Sequence, residues 1–419
     1  MFFPTSRRSF LKGSLSTSAL VALSGTVPQF LVRAAQGAAD AKGESVLVVI
    51  QLSGGNDGLN TVVPYADDVY RKSRPILGIA AKSVLKINDY IGLHPSMDAF
   101  SKLLQQGRLG IVQGAGYPTP DRSHFSSMDI WQTAQRDVAN NPVGHRATGW
   151  LGRYLDANAG READGHHDVP ALHLASGAPR LPLALVGKDI RAGSFQSIEA
   201  FRLEDGGDAG IRQAISRAVA VPRENENDLI TFLHQGTASA LESSRQVQEA
   251  VRTYKTDVKY PATNLARRLQ TVAQLIDAGL DTRIYYLDLD GFDTHANQAV
   301  SHAALLGELS GAVSAFITDL DLHGHGKRVM AMTFSEFGRR VHENASRGTD
   351  HGAAAPMFLV GGKVKPGLLG KHPSLTDLDQ GDLKFTIDFR DVYAGVLERW
   401  LGVASEPILG GKFAPMEIV

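Results

Sequence analysis

The chain has 419 residues, 43% of them hydrophobic and 21% charged, with a formal net charge of −1. Such a composition suits a soluble globular protein with one large core or two domains, and the charge balance argues against a nucleic-acid binder, which needs a basic face. Cysteine is absent, so disulfides, thiolate metal sites and catalytic thiols are excluded, and any metal must rest on carboxylate and imidazole.

The N-terminus reads as an export signal. Ser6-Arg7-Arg8-Ser9-Phe10-Leu11-Lys12 is a twin-arginine motif, followed by a mildly apolar stretch over 15–23, then Pro28 and small residues near Ala34 and Ala39. The apolar part is too short and too rich in Ser and Gly for a transmembrane anchor. The reading is a signal peptide over 1–34, a small-residue linker over 35–44 and one α/β domain over 45–419. It implies the twin-arginine export machinery as a partner, a periplasmic or secreted location, and no transmembrane anchor in the mature form. Cleavage after Ala34 removes Arg7, Arg8, Lys12 and Arg33 and no acid, leaving the mature chain more acidic. No other stretch is read as long enough to span a membrane.

The β-branched run over 46–52 predicts a central parallel strand buried on both faces. It ends in Ser53-Gly54-Gly55-Asn56-Asp57-Gly58, whose glycines permit a tight turn at the strand's carboxyl end. That turn reads as a phosphate-cradling loop without GxGxxG or a Walker lysine, as a corner carrying an acidic ligand in Asp57, or as a plain turn. A helix follows over 95–106, then a strand over 109–113. Its exit leads through Asp121-Arg122-Ser123-His124 into a helix. Ser123 is there either an N-cap or a nucleophile helped by the helix dipole, and the two roles are compatible.

Another helix is expected from residue 149, a polar loop with His166 and His167 after it, and short strands over 171–175 and 183–186. Residues 198–263 read as a helical insertion or lid. An amphipathic helix over 264–278 and a strand over 283–287 come next. Asp288-Leu289-Asp290-Gly291-Phe292-Asp293-Thr294-His295 then places four potential metal ligands in a short span after a core strand. Asp293 and His295, two apart, can point the same way in extended geometry. A helix over 299–322 and a strand over 327–333 lead to Ser335, Glu336, Arg339, His342 and Asp350-His351-Gly352. A strand over 356–362, a Gly-rich loop over 363–372 and a helix over 388–401 close the chain. Strands alternating with helices give the α/β class.

Parallel strands put their carboxyl ends on one side, so Asp57, Ser123, Asp293, His295, Asp350 and His351 can converge. Carboxylate and imidazole without thiolate suit Zn or Mn, and less clearly Ca or Mg. Ser123, His124 and Arg339 are the candidate catalytic residues, Arg339 as an anion clamp or as a structural ion pair.

The segments VLVVIQLSGGNDGLNTVVPY, DRSHFSSMDIWQ, GWLGRYLD, DGFDTHANQ and SEFGRRVHENASRGTDHG resemble an uncharacterised bacterial family of twin-arginine-exported proteins. That family is distantly similar to the alkaline phosphatase and sulfatase superfamily. The resemblance implies a three-layer α/β/α sandwich with a mainly parallel sheet, and hydrolysis of phosphate or sulfate esters of small molecules, glycans or lipids. It implies Ser123 as nucleophile, one metal on Asp57, Ser123, Asp350 and His351, and a second to which Asp293 and His295 contribute. The Asp293-x-His295 spacing is tighter than the superfamily's, and the only histidine after His351 is His372. A single-metal site, or a non-catalytic periplasmic binding or assembly protein on the same fold, is therefore the alternative.

Overall fold

A computed structural model describes residues 44–136, 148–158, 171–177, 180–188, 192–196, 251–280 and 282–419. The expected export signal, the His166–His167 pair and most of the expected insertion lie outside the described residues.

Among the described residues, one nine-stranded sheet organises the chain. Its strands are β1 (Val46–Ser53), β2 (Leu109–Gly116), β3 (Ala171–Leu174), β4 (Gly193–Phe195), β5 (Ile284–Asp290), β6 (Val329–Phe334), β7 (Ala355–Gly361), β8 (Gly367–Leu369) and β9 (Ile387–Asp388). The order is β8-β2-β7-β6-β1-β5-β3-β4, with β9 also beside β2. Neighbours are parallel except at β7, which runs antiparallel to both β2 and β6. The larger flanking helices are α1 (Asp98–Gln105), α2 (His124–Thr133), α3 (Trp150–Asn158), α4 (Asn264–Asp277), α5 (Gln298–Leu322) and α6 (Phe389–Gly395).

Successive residues of a strand face opposite ways, and β1 shows the consequence. Val46, Val48, Ile50 and Leu52 pack into one core with Phe100 of α1, Leu269 of α4 and Phe316 of α5. Leu47 and Val49 pack into a second core with Trp131 of α2, Tyr154 of α3 and Tyr393 of α6. Both faces are therefore covered, and the expected three-layer α/β/α sandwich with a mainly parallel sheet is what the chain forms. Each fully buried Val or Leu contributes roughly 1.5–3 kcal/mol to it.

Three local expectations are corrected. Leu183–Leu185 is a single 3-10 turn with Pro182 at its N-cap, not a strand. The closing helix changes at Val396 into a π-helical turn, Val396–Trp400. Helix α5 is also long and apolar enough to cross a membrane by length and composition, so such a stretch does exist beyond residues 1–34. Half of that apolar window is buried inside the fold, where α5 packs on α4 and α1. Its Asp319 is fully buried and accepts hydroxyl hydrogen bonds from Tyr254 (2.8 Å), Tyr260 (2.7 Å) and Thr256 (2.5 Å), strapping the chain before α4 onto α5.

The topology sets where chemistry can gather. Strands β1, β2, β5 and β6 all end on one edge. Because β7 is reversed, its start, preceded by Asp350 and His351, lies on that same edge. The turn after β1 is held close to the turn after β5. Gly54 has φ +115°, and a Cβ built there would lie 2.3 Å from the backbone nitrogen of Asp293. Only glycine fits both the dihedral and the approach. Replacement Gly54→Ala is expected to destabilise the protein by about 3 kcal/mol, read as a lowered urea midpoint with an unchanged slope.

Candidate metal centre

Three imidazoles and one carboxylate meet at the carboxyl edge of the sheet. One nitrogen each of His124 and His351 and one oxygen of Asp293 lie within 4.8 Å of one another. His295 lies alongside, its Nε2 3.1 Å from Asp293 Oδ1 and 2.9 Å from His351 Nε2. His124 opens α2, Asp293 and His295 follow β5, and His351 precedes β7.

Each ring is fixed from behind. Glu336 is buried, and its Oε1 sits 2.9 Å from His124 Nδ1. The carbonyl of Arg122 accepts from His351 Nδ1 at 2.8 Å. Asp350 Oδ1 lies 3.3 Å from His295 Nδ1, and Asn344 Nδ2 in turn donates to it at 3.1 Å. Carbonyls and carboxylates only accept, so each Nδ1 donates to its partner, and the Nε2 atoms point into the cluster, those of His295 and His351 lying 3.1 and 3.2 Å from Asp293 Oδ1. The Nε2 atoms of His295 and His351 face each other at 2.9 Å. That contact is repulsive unless a cation or a proton sits between them. An acceptor behind each ring, with the Nε2 atoms converging in front, is the arrangement found around metal-bound histidines, and the donor set of imidazole and carboxylate fits Zn or Mn.

Asp293 is held from below by Arg339. The guanidinium is fully buried and donates to Asp293 Oδ1 at 2.7 Å. Its other hydrogen bonds go to the carbonyls of Gly55 (2.8 Å), Thr349 (2.7 Å) and Phe292 (3.0 Å), and to that of Gly54. Burial works to raise the Asp293 carboxyl, but hydrogen bonds from Arg339 and His351 outweigh it and hold the group below the usual carboxylate range. The carboxylate nonetheless remains about half exposed, with its Oδ2 turned towards His124 Nε2 at 3.5 Å.

The structure brings His124, Asp293, His295 and His351 together and places the other expected residues differently. Asp57 does not reach the cluster. Its side chain is completely buried in an ion pair with Arg74, and Gln298 donates to the same oxygen. Burial works to raise this carboxyl, yet the Arg74 charge lowers it below its ordinary value. Asp57 also caps the short helix Gly58–Thr61. Asp350 stands behind His295 rather than among the converging atoms. The donors of Arg339 are directed at four backbone carbonyls and Asp293. His372 stacks edge-on against Tyr90 and donates to the Pro373 carbonyl, away from the cluster. One converging cluster, not two, is found among the described residues.

Ser123 occupies the N-cap position of α2, but its hydroxyl makes no capping hydrogen bond. Asp121 Oδ1 accepts the Ser123 N–H at 2.7 Å instead. The serine is exposed, between Arg122, whose carbonyl holds His351, and His124. The orienting role of Glu336 was not legible in sequence, although its place directly after β6 was the available signal.

The chain belongs to the family described as "Protein of unknown function (DUF1501)", which matches residues 44–409. No curated protein matches it. Among solved structures, the chain is similar to the PsFucS1 sulfatase from Pseudoalteromonas sp., with 12% identity and a TM-score of 0.40 over 93% of this chain and 72% of that one. It is also similar to the C-terminal periplasmic domain of EcEptC from Escherichia coli in complex with Zn, at 8% identity and a TM-score of 0.38 over 77% of this chain and 75% of that one. A protein in the alkaline phosphatase superfamily from Vibrio parahaemolyticus matches at 11% identity and a TM-score of 0.37, over 91% of this chain and 77% of that one.

Two substitutions separate ligand from scaffold. Asp293→Asn is expected to remove bound metal while leaving the fold intact. Asp57→Asn should leave metal stoichiometry unchanged but destabilise by about 3–5 kcal/mol, because Arg74 is then buried without its counter-charge. Metal analysis and urea denaturation of the same two proteins check both. Glu336→Gln should weaken metal affinity by about 10–100-fold, measured by chelator competition.

Proposed function

We propose that this member of the DUF1501 family is an exported, metal-dependent hydrolase of phosphate or sulfate esters. The observation that carries the reading is the convergence of His124, Asp293 and His351, with His295 beside them, at the start of α2 next to an exposed serine. His124, Asp293, His295 and His351 would hold a divalent ion, Zn or Mn by donor chemistry and Ca or Mg less well. When bound, such an ion polarises an ester oxygen and eases ionisation of a nearby hydroxyl.

The remaining work falls to the chain itself. Ser123 supplies the attacking oxygen, and a hydroxyl not spent on capping is free to do so. The first-turn N–H groups of α2 favour negative charge at this end of the helix. Glu336 keeps His124 Nδ1 protonated and its Nε2 turned towards Asp293. Arg339 holds Asp293 in place through the turn carbonyls around it. Half-exposed ligand groups leave the centre open to an ester carried on a small molecule, glycan or lipid. The twin-arginine motif at residues 6–12 supports a periplasmic or secreted site of action, reached through the twin-arginine machinery.

The experiment is a panel of phosphate monoesters, phosphate diesters and sulfate esters with protein folded in the presence of Zn and Mn. Turnover is expected for at least one class, and Ser123→Ala should lower kcat by about a thousandfold or more while metal content stays constant. Less than about one equivalent of metal in the wild-type protein sinks the reading. Metal binding with no turnover across the panel favours a non-catalytic periplasmic binding or assembly protein instead.

A further inference from the structure

A second polar site lies beside the metal centre, on the sheet face that α2 covers. Parallel strands in register place paired residues on one face. Val49 pairs with Tyr286, which pairs in turn with His173, and Gln51 pairs with Asp288. Towards the strand starts this face is apolar, with Leu47, Ile284 and Ala171 in the core. Towards the carboxyl ends it becomes polar, with Gln51, His173, Tyr286, Asp288 and Asp290. The opposite face does not change, since Leu52, Leu174, Leu287 and Leu289 stay in their core to the strand ends. The switch is therefore one-sided, and it opens a cavity of about 390 Å³ between these strand ends and Gln132 of α2.

The cavity walls are ordered by their own hydrogen bonds. Gln51 Oε1 accepts from Tyr286 (2.6 Å) and from Gln132 (2.8 Å). His173 is fixed between Ser194 Oγ (2.8 Å) and Asp288 Oδ1 (3.3 Å). Ser176 donates to Asp290 Oδ2 at 3.2 Å. One acceptor is left over: Asp288 Oδ2 is buried without a hydrogen-bond partner. With essentially no accessible surface it lies behind the wall, and the acceptors open to the cavity are those of Asp290 and Ser176. Charge is balanced locally, with Asp288 and Asp290 set against Arg180 at the rim and Arg268, whose Nη1 lies 3.6 Å from Asp288 Oδ1. A neutral ligand rich in hydrogen-bond donors fits such a site better than a cation or an anion.

We infer that this cavity is the subsite for a hydroxylated, sugar-like part of the substrate, an inference that rests on the ester-hydrolase reading above. Two of the segments that line it lead to the metal centre. Asp290 precedes Asp293 by three residues, and Gln132 lies eight residues along α2 from His124, about 12 Å on a helix. The ester group would sit at the metal end and the hydroxylated body between α2 and β5.

The test is saturation-transfer NMR on the metal-loaded full chain, with methyl glucoside, methyl galactoside, N-acetylglucosamine and spermidine as probes. At least one sugar should show transfer, reduced about tenfold in a Ser176→Ala, Asp290→Ala double variant. Transfer to spermidine alone, or sugar transfer untouched by the variant, overturns the subsite. The probes carry no ester, so sugar binding without turnover of any ester would defeat the hydrolase reading and leave the subsite standing. Where esters are hydrolysed, the ratio of kcat/KM for a sugar ester to that for a 4-nitrophenyl ester should fall about tenfold in the variant. An unchanged ratio counts against the subsite.

Discussion

The buried guanidinium of Arg339 is the interaction on which the carboxyl edge of the sheet depends. Arg339 itself follows β6, and it reaches the turns after β1 and β5 and the segment before β7. Backbone carbonyls at these turns have left the strand ladder and need donors. A planar fork with five N–H groups can serve several of them at once, which a lysine ammonium on a flexible stem cannot. Burying that charge is unfavourable in itself. It becomes tolerable because four carbonyls and one carboxylate surround it, and the same arrangement fixes the carboxylate at the centre of the site. The turns and the Asp293 carboxylate are thus joined through a single side chain.

A second constraint acts on the imidazoles. A histidine ring free to choose its tautomer would present a donor or an acceptor at Nε2 with similar ease. Here Glu336, the Arg122 carbonyl and Asp350 each claim an Nδ1 proton, and the Nε2 atoms are left facing one region. Two of these three partners come from the same chain segments as the ligands. Arg122 precedes α2 by two residues and Asp350 adjoins His351. The third, Glu336, also accepts the N–H of Gly54 at 2.8 Å, so the turn after β1 supports the site without contributing a ligand.

The strands and their alternation with helices were legible because continuous apolar, β-branched runs buried on both faces leave a direct trace in sequence. The pairs Asp293-x-His295 and Asp350-His351 were legible too, since polar groups directly after, or just before, a core strand stand out. Three things were not. His124 was placed beside Ser123 on sequence adjacency alone; its contact with Glu336, 212 residues away, depends on the fold. The reversal of β7 has no local sign, because a strand buried on both faces reads alike in either direction. The two-metal assignment followed from the resemblance, whereas the number of converging groups depends on distances that spacing does not contain.

Asp57 and Asp293 show most plainly what sequence leaves out. Both follow a core strand and a glycine, and both lie beside an arginine. At Asp57, Arg74 and Gln298 engage one oxygen, Asn60 N–H lies 3.4 Å from the other, and no surface remains. The carboxylate is neutralised and sealed, and its charge serves the fold. At Asp293, Arg339 takes a single oxygen and the side chain stays half exposed, with Oδ2 turned towards His124. The difference is one of completeness of compensation. A buried acid whose charge is fully matched is inert structure, while one matched on a single oxygen keeps the capacity to bind a cation. The arginines that decide between these outcomes lie 17 residues from Asp57 and 46 from Asp293, so the decision is made by the fold and not by the motif.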